Sequence, residues 1–120
     1  LENINGAGQN SIGLYNVGAS PRVSNMAINV SGAGALFGVY DVASSTVASG
    51  VSVNVTGGSG GRYGFYSYWN GVGTSTPLLI IRDSDVSAPT KSINVAAGGS
   101  AYISSSVLSA GVEQNFLGDN

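Results

Sequence analysis

The segment from Gly13 to Phe37, GLYNVGASPRVSNMAINVSGAGALF, decides the fold because its pattern recurs along the chain. Two further copies open as it does, with glycine, a large apolar residue and tyrosine, at Gly38 and Gly64. A looser fourth copy opens at Ser92. The openings lie 25, 26 and 28 residues apart. A nearly fixed period of this length predicts an array of stacked repeats.

Within a copy, apolar and polar residues alternate as in a β-strand that buries one face. Met26, Ile28 and Val30 show this alternation in the first copy, and the valines of segment 51–55 repeat it 25 residues later. The chain is rich in glycine, serine, threonine, asparagine and valine, which are weak helix formers. Glycine-rich clusters follow the strand pattern, where turns are expected. The sequence therefore predicts strands and turns rather than helices.

Coils of 25–28 residues built from short strands and turns predict an all-β parallel β-solenoid of about four coils. Each strand would pair with its equivalent in the next coil at a spacing of about 4.8 Å. A β-sandwich also has a turn about every 8 to 12 residues, but it does not explain a nearly fixed period of 25–28 residues. The repeats occupy residues 1–112, with coils starting near 13, 38, 64 and 92, and residues 113–120 form a C-terminal tail or cap.

Stacked coils place equivalent residues in rows along the solenoid axis, and alignment of the copies predicts three inward rows. They are Ile12, Phe37 and Tyr63; Leu14, Val39, Phe65 and Ile93; and Val23, Val47, Ile81 and Ile103. A polar row at a turn is predicted to hydrogen-bond along the axis. It consists of Asn16, Asp41, Ser67 and Asn94.

The composition excludes several classes of partner. The chain has only four Lys and Arg residues and six Asp and Glu residues. Four scattered cations do not form the basic surface that binds nucleic acid, and no apolar run is long enough for membrane insertion. A Ser-, Thr-, Asn- and Gly-rich surface with few charges is typical of an extracellular or cell-surface structural protein. Because the chain begins at Leu1 within a coil pattern, we expect a processed chain or a fragment.

The openings GLYN, GVYD and GFYS, followed by a strand such as RVSNMAINVSG, resemble the repeats of right-handed parallel β-helix proteins of the pectin-lyase-like superfamily. The similarity is greatest to the Gly-Val-Tyr-Asn repeats of secreted bacterial and phage-associated proteins, and it covers residues 1–112. The resemblance implies a right-handed parallel β-helix. It leaves function open, because the superfamily includes polysaccharide lyases and hydrolases, tail-spike proteins, adhesins and structural fibres.

The tyrosines at the coil openings are the first candidate site. Alternation along the strand predicts that Tyr15, Tyr40 and Tyr66 form an outward ladder, with Tyr68 and Trp69 nearby. Such a ladder can stack on sugars or pack against a neighbouring subunit. The alternative is that the row only completes the sheet, or turns inward at a bend.

The second candidate is the acidic pair Asp83 and Asp85 beside Arg82. On a strand, residues two apart share a face, where two carboxylates can share a proton or hold a cation. Ser84 between them aligns with an inward row, so both are predicted to project outward. The alternative is a solvated face on which Asp83 pairs with Arg82. The chain has no His and no Cys, which excludes His-dependent catalysis and the usual zinc sites, and we expect no catalytic residue, metal or cofactor.

The third candidate is a pair of glycosylation signals, Asn29-Val30-Ser31 and Asn54-Val55-Thr56. Both fit the N-x-[ST] pattern. They lie one coil apart between inward residues, so Asn29 and Asn54 are predicted to be exposed. An organism that glycosylates its surface proteins would place glycans on this row.

Two functions are consistent with these patterns. The first is a secreted or cell-surface structural solenoid, a fibre, filament or stalk subunit that self-associates through its open ends or lateral faces. The alternative is a module that binds or cleaves a polysaccharide, for which the tyrosine ladder is favourable. The scarcity of charged residues weighs against cleavage.

Overall fold

The computed structural model describes residues 4–6, 10–69, 71, 77–96 and 98–114. These residues form short β-strands joined by turns and bends, and no helix occurs among them. The strands are β1 (Ile4–Gly6), β2 (Ser11–Val17), β3 (Arg22–Ser24), β4 (Ala27–Gly32), β5 (Leu36–Val42), β6 (Val47–Ser49), β7 (Ser52–Gly57), β8 (Arg62–Tyr68), β9 (Leu78–Arg82), β10 (Asp85–Ser87), β11 (Lys91–Ala96), β12 (Ser100–Ser104), β13 (Val107–Leu108) and β14 (Val112–Gln114).

The strands form three parallel sheets, because each coil places successive strands in different sheets. Sheet A has the order β1-β4-β7-β10-β13, sheet B the order β14-β11-β8-β5-β2, and sheet C the order β12-β9-β6-β3. Every pairing in the described residues is parallel. The predicted parallel β-solenoid of about four turns is confirmed. The β-sandwich alternative is wrong, since a sandwich consists of antiparallel sheets.

The register confirms that equivalent residues of successive coils stack. Leu14 pairs with Val39, which pairs with Phe65, which pairs with Ile93. The prediction for the third inward row was wrong by one residue, because Ala48 rather than Val47 pairs with Val23 and Ile81. The pairs are Val23↔Ala48 and Ala48↔Ile81.

A slip of one residue exchanges the two faces of a strand. Ala48 is fully buried, whereas Val47 is half-buried and pairs with the exposed Arg22 and with Ile80. The sequence favoured valine as the inward residue because it is larger and more apolar, but the interior beside Val23 and Ile81 is filled by an alanine.

Glycines at the coil openings allow the backbone of sheet B to approach sheet A. A Cβ atom on Gly13 would lie 2.6 Å from Ile28 Cγ2 and 2.7 Å from the carbonyl oxygen of Gly38. Gly38 and Gly64 are equally crowded, by Val53 and by Val86. The repeated opening glycine therefore has a steric cause, which is the close approach of backbone to side chains.

In the fourth coil the crowded opening position is occupied by a serine instead of a glycine. Ser92 lies opposite Gly64, between the pairs Lys91↔Tyr63 and Ile93↔Phe65, and is fully buried. Its hydroxyl donates to the carbonyl oxygen of Val86 at 2.9 Å and accepts from the N–H of Ala110 at 3.0 Å. A buried hydroxyl with both bonds made is tolerated in a core.

The corner between sheets C and A has a left-handed residue in all four coils. These residues are Asn25, Gly50, Asp83 and Ser105, with φ of 51°, 64°, 49° and 49°. Asn and Asp adopt this conformation more easily than most residues. After the third of these corners, the buried Ser84 donates from Oγ to the carbonyl oxygen of Arg82 at 2.7 Å and accepts from the N–H of Val51 at 3.1 Å.

The parallel pairing continues to the end of the described chain. β14 pairs with β11 through Val112, Glu113 and Gln114, two residues beyond the predicted repeat region of 1–112. The rest of the predicted tail, residues 115–120, lies outside the described residues. Within the described part of the chain, no helix is long and apolar enough to cross a membrane.

Candidate functional site: an aromatic face

The outer side of sheet B carries a cluster of rings that a local irregularity brings together. Leu36 and Val39 are both in the core, although they are three residues apart in β5. Residues three apart in a regular strand point to opposite faces, so the alternation is interrupted at the crowded Gly38 between them. As a result Phe37 and Tyr40 also share a face, and their ring centroids are 4.8 Å apart at an interplanar angle of 74°.

Two ladders of rings interlock on this outer side. Phe37 stacks on Tyr63 with centroids 5.6 Å apart and planes 20° apart, and Tyr40 stacks on Tyr66 at 5.1 Å and 26°. The two ladders meet edge to face, with Phe37–Tyr66 at 5.4 Å and Tyr63–Tyr66 at 5.1 Å. Aromatic pairs in such geometries contribute about 0.5–1.5 kcal/mol each beyond their burial. We call Phe37, Tyr40, Tyr63 and Tyr66 the aromatic face.

The aromatic face corrects one prediction and extends another. Tyr15, Tyr40 and Tyr66 are in register, as the sequence predicts. The predicted row of Ile12, Phe37 and Tyr63 is also in register, but it was wrongly placed inward. Phe37 lies outside the core cluster and packs on the tyrosine rings instead. It is nevertheless only 9% exposed, because its neighbours cover it.

Beside the aromatic face lie large side chains that remain exposed. Tyr15 and Val17 are each 57% exposed, and Tyr68 is 36% exposed. Tyr15 contacts Tyr40 edge to face at 5.6 Å. We call Tyr15, Val17 and Tyr68 the exposed rim. Burial raises the pKa of Tyr40, and electrostatic interaction with Tyr15 and Tyr68 raises it further, so its phenol is neutral at physiological pH.

Stacking determines which parts of the rings can meet a partner. In the Tyr40–Tyr66 pair each ring face turned to the neighbouring coil is covered by the other ring. A sugar stacks on an open ring face, which Tyr15 at the end of the row can offer. Trp69 is half-buried and packs over Gly98, where a Cβ atom would lie 2.6 Å from Trp69 Cε3.

The aromatic rows end at the fourth coil. Tyr63 pairs with Lys91, Tyr66 with Asn94 and Tyr68 with Ala96. Asn94 is buried, and its Oδ1 finds no hydrogen-bond partner among the described residues. The aromatic face therefore spans the second and third coils, with Tyr15 at its first-coil end.

The predicted polar row lies buried behind this face. Asn16 Nδ2 donates to Asp41 Oδ1 at 2.7 Å, and Asp41 is 1% exposed. Asp41 pairs with Ser67, but Ser67 then pairs with Val95, so the prediction that Asn94 ends this row was wrong. At this row the fourth coil is shifted by one residue relative to the predicted alignment. A valine closes the polar row at its fourth-coil end.

Asp41 is a buried carboxyl group whose loss of hydration is only partly compensated by neighbouring polar side chains. Burial raises its pKa, while the side chains of Thr46 and Asn16 lower it in part. Thr46 Oγ1 and Ser67 Oγ are buried without a hydrogen bond of good geometry in the described structure. Asp41 prefers its protonated form more than an exposed aspartate does.

The acidic pair has a structural explanation. Ser84 is buried, and Asp83 and Asp85 are both exposed on either side of it. Asp85 begins β10, but Asp83 is the left-handed corner residue rather than a strand residue. The predicted strand geometry for this pair is therefore wrong. The described residues contain no group of three or more potential metal-ligating side chains, and a cation site at these aspartates stays a prediction.

The two glycosylation signals are stacked on the outer side of sheet A. Asn29 pairs with Asn54, and Ser31 with Thr56. Asn54 and Thr56 are exposed, whereas Asn29 and Ser31 are half-buried, so the prediction that both asparagines are exposed holds for Asn54 alone. The flanking Ile28, Val30, Val53 and Val55 are buried, as the alternation predicts.

Comparisons of the chain with protein-family models, with curated proteins and with solved structures give no significant match. The class of protein is therefore defined by the fold alone. It is a parallel β-solenoid with an interlocked aromatic face on one sheet and a polar surface on another.

Proposed function

We propose that this chain is a secreted or cell-surface structural solenoid, a fibre, filament or stalk subunit that associates with further copies of itself. It acts through its surfaces rather than by catalysis, in keeping with a sequence that has no His and no Cys. The low proportion of charged residues and the two glycosylation signals support an extracellular location.

The observation that carries the proposal is the uncharged outer surface of sheet B. Across the first three coils its three outward rows contain no charged residue. These rows are Ile12, Phe37 and Tyr63; Tyr15, Tyr40 and Tyr66; and Val17, Val42 and Tyr68. The exposed rim adds apolar area that water solvates poorly. A second copy that covers this rim would remove it from water, which favours lateral packing over end-to-end stacking as the first contact to test.

The test compares two exposed rim residues on sheet B with an exposed tyrosine on sheet C. Sedimentation velocity and electron microscopy of the wild-type chain should show concentration-dependent association into regular assemblies. The double variant Tyr15→Ser/Val17→Ser should shift the distribution towards the monomer. Tyr102→Ser is the matched control, since Tyr102 is 62% exposed but lies on β12 of sheet C.

Each outcome bears on the proposal. A wild-type chain that stays monomeric at all concentrations would overturn self-association. Assemblies that persist in the double variant would exclude Tyr15 and Val17 as the contact and direct attention to the edge strands β2 and β14 of sheet B. Loss of association in the Tyr102 variant alone would transfer the contact to sheet C.

Polysaccharide binding is the second candidate, and the exposed ring of Tyr15 is the observation that favours it. Affinity electrophoresis against a panel of neutral and acidic polysaccharides would compare wild type with Tyr15→Ala and Tyr66→Ala. Retardation that Tyr15→Ala abolishes supports an open ring face as the sugar contact. Equal retardation of all three proteins would exclude both tyrosines.

We also propose that the chain is related to the pectin-lyase-like superfamily. The GLYN, GVYD and GFYS openings support it, and the opening glycine has a steric role in each of the first three coils.

A further inference from the structure

Four tyrosines on and beside the aromatic face, Tyr15, Tyr40, Tyr63 and Tyr66, are close enough to react with one another. Successive ring centroids are 5.6 Å apart for Tyr15–Tyr40 and 5.1 Å apart for both Tyr40–Tyr66 and Tyr63–Tyr66. Tyr40, Tyr63 and Tyr66 are half-buried and Tyr15 is exposed. A small oxidant in solvent can therefore reach phenols that are already in contact.

We propose that Tyr40 and Tyr66 are a site of oxidative cross-linking, at which a one-electron oxidant joins coil two to coil three through a dityrosine bond. Each phenol gives one electron to the oxidant and its hydroxyl proton to solvent. The two phenoxyl radicals couple through one ortho carbon of each ring, and the ring hydrogens at those carbons return to the oxygens by tautomerisation. The protein loses two protons and two electrons in total, and one carbon–carbon bond forms.

The geometry favours this pair over the other contacts. Tyr40 and Tyr66 occupy the same register position on the adjacent parallel strands β5 and β8, so their side chains leave the sheet side by side. Their planes are 26° apart, whereas Tyr63–Tyr66 and Tyr15–Tyr40 meet at 63° and 65°. Nearly parallel rings with centroids 5.1 Å apart keep the two phenols side by side. Holding two reactants together in this way gives a high effective concentration.

The composition leaves the tyrosines as the main target of a one-electron oxidant. The chain has six Tyr, no Cys, one Met and one Trp. Met26 and Trp69 are half-buried, as the stacked tyrosines are, so the number of tyrosines rather than their exposure makes them the main target. With no thiol to reduce a phenoxyl radical, the radical persists until it meets its neighbour. The bond would close a loop between positions 40 and 66 and restrict the unfolded chain, as a disulfide does.

The experiment oxidises dilute protein with photo-activated ruthenium tris-bipyridyl and persulfate, and it follows dityrosine fluorescence and mass. Trypsin places Tyr40 on peptide 23–62 and Tyr66 on peptide 63–82, because Arg22, Arg62 and Arg82 are cleavage sites. We expect these two peptides to be joined with the loss of two hydrogens, in protein that still migrates as a monomer on a denaturing gel. Fragmentation should place the bond at Tyr66 rather than at the other tyrosines of its peptide.

The variants Tyr66→Phe and Tyr102→Phe form a matched pair. Tyr66→Phe keeps a ring in the stack and removes only the phenol, so it should fold like wild type by circular dichroism and lose most of the monomer cross-link. Tyr102→Phe should keep it. Cross-linked wild type should also melt at a higher temperature than the uncross-linked protein.

Three results would overturn the proposal. They are an equal yield in urea-unfolded protein, a bond that maps to another pair of tyrosines, and products that are mainly intermolecular. A several-fold excess of the 40–66 linkage in folded over unfolded protein would establish it.

Discussion

The outer sides of sheets A and B use the same coils in different ways. On sheet A the outward residues Asn54 and Thr56 are exposed and polar. On sheet B the outward Phe37 is 9% exposed and is held between tyrosine rings. The stack of coils determines which residues are inside, but it leaves the outward rows free to be solvent-facing or to pack on one another.

The difference begins at the crowded glycines. In β7 the residues from Ser52 to Thr56 alternate regularly between exposed and buried. In β5 the alternation breaks at Gly38, and two outward residues three positions apart come into contact. Sheet B thus forms a second layer of packing outside the solenoid, and sheet A does not. Four pairs of variants, each a substitution with its control, test this contrast.

The largest effect is expected at Gly38. Gly38→Val would place its side chain against Val53 and the carbonyl oxygen of Gly64, which lies 2.6 Å from the Cβ position. Overpacking of this kind costs about 3 kcal/mol or more. Urea denaturation should show a large loss in the free energy of unfolding. Ser52→Val introduces the same side chain at an exposed position of sheet A and should change it by less than about 0.5 kcal/mol. Equal stability of the two variants would mean that the sheets can move apart at no cost.

The next effect concerns the packing of the aromatic face. Phe37→Ala removes the ring that contacts Tyr40, Tyr63 and Tyr66, and we expect a loss of about 3 kcal/mol, as for a core phenylalanine. The control is Asn54→Ala on sheet A, which should stay within about 0.5 kcal/mol of wild type. A loss below about 1 kcal/mol for Phe37→Ala would show that packing among the rings contributes little to the free energy of unfolding.

The sequence predicted the fold well because inward rows must match from coil to coil. Matching rows gave the register of sheets A and B through the first three coils. Row matching failed at Val47, where the choice between valine and alanine as the inward residue depends on the local width of the interior. It also failed for Phe37, because regular alternation places Phe37 and Tyr40 on opposite faces and only the irregularity at Gly38 unites them.

The role of Asp83 was hidden for a different reason. Two acidic residues two positions apart suggest a shared face only if the backbone between them is extended, and Asp83 has a φ of 49°. A signal for this corner was present in the sequence. Asn25, Gly50 and Asp83 occupy equivalent positions, and all three are residue types that tolerate a left-handed conformation.

A smaller effect, dependent on pH, is expected at Asp41 behind the aromatic face. Burial raises its pKa in the folded state, so the folded protein binds the proton more tightly than the unfolded chain does. The stabilisation is complete below the unfolded-state pKa of about 3.9 and is lost as pH rises through the raised pKa of the folded protein.

Asp41→Asn removes this titration and keeps an oxygen that can accept from Asn16 Nδ2. It should unfold at a higher urea concentration than wild type at neutral pH, and the difference should shrink towards pH 3. Asp85→Asn is the control for the loss of one negative charge, because Asp85 is exposed. A difference that grows towards low pH would reverse the sign and contradict a raised pKa.

The smallest effect on stability is expected on sheet A, at the two glycosylation signals. Asn54 and its Thr56 are exposed, whereas Asn29 and its Ser31 are half-buried. Strands in a sheet are about 4.8 Å apart, so glycans on both in-register asparagines would crowd each other. In a host that glycosylates secreted proteins, we expect occupancy at Asn54 to exceed that at Asn29, measured by mass spectrometry of glycopeptides.

Removing the hydroxyl of one glycosylation signal at a time tests the two signals separately. Thr56→Ala should abolish the glycan at Asn54 and leave the free energy of unfolding within about 0.5 kcal/mol, and Ser31→Ala should leave that glycan in place. Full occupancy of both asparagines would contradict crowding between adjacent strands. Occupancy at Asn54 alone would show that sheet A is free of packing partners during secretion, which is the property that distinguishes it from the ring-covered outer side of sheet B.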